Sequence, residues 1–180
     1  MVAIVLVLAV AVYGLRSQGR LWWCECSYLL LWSGDAWSSD NSQHISDPYS
    51  FTHVLHGFVI GGLVTLILPS LSAVWRLWIV VSVEAVWEVV ENSAFVIDRC
   101  RAGTAALGYT GDTVVNSLAD IVLCGIGFML ARLLGLRLSI VVFVVTEVML
   151  AAWIRDNLTL NVVMLIHPLD SIKEWQAAGH

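Results

Sequence analysis

Charged residues are what this sequence has least of. Asp, Glu, Lys and Arg make up 13% of its 180 residues, about half the share of a soluble domain. With 59% hydrophobic residues and a mean hydropathy of +0.83, the shortage argues against a water-soluble domain and makes lipid the expected solvent for most of the chain. The nine Lys and Arg are scattered singly in a chain of net charge −5. No basic run exists to neutralise phosphates, so nucleic acid is not an expected partner. Four cysteines are too few for a disulfide framework and leave the redox compartment open. Also missing are G-x-S-x-G, P-loop, G-x-G-x-x-G, H-E-x-x-H and E-x-x-H patterns. The apolar N-terminus has neither a cationic n-region nor a small-x-small cleavage site, and reads as a retained signal-anchor helix.

The apolar runs predict an all-α, polytopic membrane helix bundle forming a single integral membrane domain over residues 1–180. About five transmembrane helices fit, at roughly 20 residues each. They fall near residues 2–15 (extending toward Trp23), 51–68, 74–97, 113–134 and 138–154. The polar stretch 33–50 reads as a loop outside the hydrocarbon, and 98–112, with Arg99, Arg101 and three glycines, as a structured external loop. After Arg155 too few apolar residues remain for a sixth crossing, so the C-terminal part is expected to be an interfacial helix. The short turns carry Arg76, Arg132 and Arg137 and no acid. The positive-inside rule places them in the cytoplasm and the polar loops outside.

Ionisable side chains within such spans cost about 2.5 to 3.5 kcal/mol each on insertion scales and ask for a partner or a purpose. Glu84, Glu88 and Glu91 recur at i, i+4 and i+7 on the third span, with Asn92 beside them. Asp112, Asn116 and Asp120 form a second stripe entering the fourth span, and His53 and His56 stand one turn apart at the start of the second. Helix direction alternates, so these stripes, joined by Arg155, Asp156 and Asn157, share one leaflet. The expected cavity near the outer leaflet has Glu88, Glu91, Asp112 and Asp120 as catalytic candidates. Asn92, Asn116, Arg155, Asp156 and Asn157 are the substrate-binding candidates, and His53 and His56 are metal-ligand candidates for a divalent ion. The plainer reading is that the same groups tie helices together through hydrogen bonds of about 1 kcal/mol or less. Cys24 and Cys26 read more readily as small buried hydrophobes than as soft-metal ligands with His44. Glu147, midway along the fifth span, pairs with Arg132 or reaches the cavity, and Gly57, Gly61 and Gly62 permit close helix contact.

Nearly the whole chain closely resembles an uncharacterised domain-of-unknown-function family of small bacterial inner-membrane proteins. The resemblance rests on Cys24-x-Cys26, the run Ser39-Asp40-Asn41-Ser42-Gln43-His44, residues 50–57, Trp87-Glu88 with Glu91-Asn92-Ser93, Tyr109 to Asp112 with Asn116-Ser117 and Asp120, and Arg155-Asp156-Asn157-Leu158-Thr159-Leu160-Asn161. Pro48, Cys100 and Ser27 stand where the family pattern has an aromatic, a tyrosine and a glycine. The order histidine, glutamates, then Gly-Asp-x-x-x-Asn with a later Asp also looks like VanZ-like membrane proteins. The resemblance implies a multi-pass location in the bacterial inner membrane and no particular reaction. Three function classes stay open: an enzyme acting on a lipid or lipid-linked headgroup, a carrier or binding module for a small cation or polar headgroup, and an accessory protein without catalysis. Membrane lipids, or a lipid-linked or small polar ligand, are the expected partners.

Overall fold

The computed structural model describes residues 2–104 and 108–178. Among them are seven helices and no strands: α1 Val2–Ser17, α2 Ser50–Ile67, α3 Ala73–Glu91, α4 Ala94–Gly103, α5 Val114–Ile154, α6 Leu158–Ile166 and α7 Asp170–Ala177. Two of them, α2 and α5, are long and apolar enough by themselves to cross a membrane.

Helix α5 is 41 residues long, yet both its ends meet one loop. Thr113 at its start donates its N–H to the Ser42 carbonyl, and Asp156 just past its end accepts from the Tyr49 hydroxyl. A straight helix of this length would hold its ends about 60 Å apart. The break is Gly135, at φ +70° and ψ +169°. This left-handed backbone is one that glycine adopts at little cost. Across it the Ser139 hydroxyl reaches the Ala131 carbonyl at 3.2 Å, eight residues back. The element is therefore a hairpin of two arms of about twenty residues, close to the two separate spans the sequence suggests.

The first arm lies against α2 with almost no gap. A Cβ on Gly57 would strike the Cys124 carbonyl, and one on Gly127 would strike the Val54 carbonyl. This backbone-to-backbone crossing is what small residues allow in bundles with an apolar surround. Gly62 meets nothing, so it takes no part in that contact.

Three boundaries differ from those expected. The third helix stops at Glu91, and Ser93 starts a new one by accepting the Val96 N–H, so residues 94–103 are helical where a span end and a loop were expected. The expected loop 98–112 begins only after Gly103, and residues 105–107 within it lie outside the described residues. The tail folds as two short helices rather than one.

Polarity is turned inside out. Glu84 and Glu88 are fully buried, as are Asn116, Ser117 and His44 to within 1%. Leu133, Leu136, Val10, Leu66 and Val86 are among the large hydrophobics exposed by more than 60%. Water would penalise such a surface.

Candidate functional site

The segment between α1 and α2 has no helix of its own but folds back on itself. Ser33 and Ile45 donate their N–H groups to the Ser46 and Leu30 carbonyls. Its Leu21 and Trp22 carbonyls accept the N–H groups of Val114 and Val115, and the Thr113 hydroxyl accepts that of Asn116. These are groups that the first turn of a helix cannot satisfy internally. The loop is thereby fixed over the adjacent starts of α2 and α5. Beneath it lies a cavity of about 430 Å³.

The floor of the cavity comes from three helices. His53, on the first turn of α2, has Nδ1 at 2.7 Å from Glu84 Oε1 and 3.2 Å from Glu88 Oε1, while its Nε2 lies 3.9 Å from Asp120 Oδ2. His56, one turn on, has Nδ1 at 2.8 Å from the same Glu84 oxygen. Glu84 thus ties both imidazoles. Asp120 is held by the Ser50 hydroxyl at 3.0 Å. Glu91, Asp112 and Asn116 complete the polar floor.

The sequence-derived residues divide once placed. His53, His56, Glu91, Asp112, Asn116, Asp120 and Asp156 line the cavity, and Glu88 stands directly behind His53. Asn92 does not line it. Its amide donates to Asp112 and to the Glu88 carbonyl, closing the end of α3 onto the start of α5. Arg155 and Asn157 also belong elsewhere. Arg155 donates to the Trp175 carbonyl and stacks on that indole, whereas Asn157 caps α6 by accepting the Leu160 N–H at 2.8 Å. Arg-Asp-Asn is a helix-to-helix joint in which only Asp156 faces the cavity.

Glu147 neither pairs with Arg132 nor reaches the cavity. Its two carboxylate oxygens accept the N–H groups of Leu158 and Thr159 at 2.9 and 3.0 Å, while Arg132 packs over the Phe128 ring. Cys24 and Cys26 are joined by a disulfide, which corrects their reading as separate small hydrophobes. Ser27 has φ +68°, a left-handed backbone that glycine adopts at less cost.

Sequence reasoning left Glu84 outside the site, and missed Asp47, Tyr49 and Tyr109. Asp47 accepts the N–H groups of Ser42 and Tyr49 and lies 3.5 Å from the Asn116 amide. In sequence it resembles an ordinary helix-entry aspartate, and only its approach to Asn116 distinguishes it. Burial raises the Asp47 carboxyl above its usual range against those two N–H groups. Burial likewise raises Asp112, opposed by bonds from Asn92 and Tyr109, and it pushes Asp156 up to about 7, opposed by the Asn157 N–H and the Tyr49 hydroxyl.

The family model for "Protein of unknown function (DUF2585)" matches residues 15–178. The chain belongs to this family. It is 47% identical over 171 residues to a UPF0314 protein of Brucella anthropi, covering 95% of this chain and 87% of that one. A UPF0314 protein of Rhizobium meliloti is 44% identical with the same coverage, and one of Paracoccus denitrificans is 44% identical over 96% of this chain and 90% of its own. No solved structure matches the chain. The DUF2585 match takes in every residue of the floor.

Proposed function

We propose that this is a multi-pass protein of the bacterial inner membrane whose cavity receives the polar head of a lipid or lipid-linked molecule and acts on it. The observation that carries the reading is the mixed polar and apolar lining of the cavity. Besides the acidic and imidazole side chains, the lining includes apolar ones: Val96 from α4 with Leu158, Val162, Met164 and Leu165 from α6. A ligand with a polar end and an apolar end matches that composition, as sites of mixed lining generally match their ligands.

Five crossings are consistent with the geometry: α1, α2, α3 and the two arms of α5. Helix α3 carries three glutamates, yet Glu84 and Glu88 point inward while Val83, Val86 and Val90 are exposed, the arrangement an apolar surround demands. The Cys24–Cys26 disulfide suits an oxidising compartment and supports an outward-facing loop. Asp120, lining the cavity beside His53, is best placed to accept a proton from a bound headgroup. A carrier for cations draws less support, because Val64, Val80, Cys124 and Phe128 pack into a dry layer next to the floor.

The test is lipid retention. Protein extracted from bacterial membranes in mild detergent is expected to carry a stoichiometric polar lipid detectable by native mass spectrometry. Leu165→Asp, which sets a charge at a half-buried apolar position of the lining, is expected to lose it at least about tenfold. Wild-type protein free of lipid, or equal retention by the folded variant, would overturn the reading.

A further inference from the structure

We infer that His53, Glu88 and Glu91 form a binding centre for one divalent cation of the zinc or manganese kind. A nitrogen of His53 and one oxygen from each glutamate lie within 4.8 Å of one another. Donors on a single ion with bonds of about 2.0 to 2.2 Å sit some 3 to 4 Å apart, so a small inward movement of the carboxylates completes the shell. One imidazole nitrogen with carboxylate oxygens is a donor set that suits these metals.

The independent sign of a ligand is Glu88. Its side chain is fully buried, and neither carboxylate oxygen accepts a hydrogen bond. One oxygen of the adjoining Glu91 is also buried and without a donor. His53 Nδ1 stands 3.2 Å from Glu88 Oε1, but it makes its hydrogen bond to the closer Glu84, at 2.7 Å. Burying a carboxylate without hydrogen-bond donors costs several kcal/mol. A cation between Glu88 and Glu91 satisfies both groups at once. Glu84, whose Oε1 meets Nδ1 of both His53 and His56, holds the two rings beside this place. The ligand set shares His53 with the histidine pair suggested by sequence, while His56 groups with His53 and Glu84 in a neighbouring set of donors.

The same cation answers a question of charge. Asp47, Glu91, Asp112, Asp120 and Asp156 line the cavity, and no Lys or Arg does so among the described residues. Arg99 donates to the carbonyls of Leu165 and Ile166, and Arg101 to that of Tyr109. An anionic phosphate would be repelled by this lining, whereas a metal on the floor gives it a positive partner. A phosphate-bearing headgroup is thus the substrate class. This last step rests on the lipid reading above, while the metal centre rests on the donor geometry alone.

Full-length protein in detergent, stripped with chelator, is titrated with Zn²⁺ and with Mn²⁺ by calorimetry, with elemental analysis after dialysis. Wild type is expected to retain about one ion per chain. Glu88→Gln is expected to weaken binding at least about tenfold, with an unchanged or higher melting temperature in the absence of metal. A wild type that retains neither ion, or a folded Glu88→Gln that binds as wild type does, overturns the centre. Should Glu88→Gln fail to fold, Glu91→Gln, altered at the cavity surface, carries the same expectation and is judged by the same result. Native mass spectrometry of the metal-loaded and stripped forms with phosphatidylglycerol separates the two proposals. Equal phospholipid binding by both forms overturns the metal bridge but leaves the lipid reading. Metal binding with no phospholipid bound by either form overturns the phosphate assignment and leaves the centre.

Discussion

Asn92 and Asp112 hold each other reciprocally: the Asn92 amide donates to Asp112 Oδ2 at 2.8 Å, and the Asp112 backbone N–H donates to Asn92 Oδ1 at 2.6 Å. Both residues are buried, and the pair fixes the end of α3 to the entry of α5. Asn92→Ala leaves a backbone donor and a carboxylate oxygen without this partner inside the bundle. The expected loss is about 2 to 3 kcal/mol, read as a lower midpoint in detergent unfolding. A shift smaller than about 0.5 kcal/mol would show that the pair does not fix the two helices.

The crossing of α2 and α5 tolerates no side chain where Gly57 and Gly127 meet carbonyl oxygens. Gly57→Ala and Gly127→Ala are each expected to cost at least about 1 to 3 kcal/mol through overpacking, and both displace the histidines from Asp120. Gly62→Ala, facing open space, is expected to be neutral or slightly stabilising. Thermal melts of the three variants side by side check the ordering.

Glu147 and Asn157 between them satisfy the first three N–H groups of α6. Removing the carboxylate with Glu147→Ala is expected to destabilise by about 2 kcal/mol, with faster hydrogen exchange at Leu158 and Thr159. Glu147→Gln keeps one acceptor and should fall between. Unchanged exchange at these two amides would rule out the capping role.

Asp156 gives a pH signature. Its carboxyl, outside the helical arms, is raised by burial to about 7, against about 3.9 in an unfolded chain. Between these values the folded state binds more protons than the unfolded state, so this contribution is fully present below about pH 4. It is lost as pH rises through 7. The melting temperature of wild type relative to Asp156→Asn is therefore expected to fall between about pH 4 and pH 7, and a difference independent of pH would contradict the shift.

Much of this protein is legible in its residue order. Helical periodicity puts Glu84, Glu88 and Glu91 on one face and Asp112, Asn116 and Asp120 on another, because i, i+4 and i+7 spacing is a property of the chain alone. Alternating helix direction then gathers those faces with His53 and His56 at one end of the bundle. Gly57 and Gly61 signal close packing through their small size, though nothing local separates them from Gly62. What needs tertiary structure is the assignment of partners. A buried carboxylate looks alike in sequence whether it caps a helix, as Glu147 does, holds two imidazoles, as Glu84 does, or accepts no hydrogen bond, as Glu88 does. Hydrogen-bond partners far along the chain decide between these fates, and residue spacing along one helix carries no information about them. The reversal at Gly135 and the folding of the 18–49 segment over the site are of the same kind, since each depends on contacts that only the assembled bundle supplies.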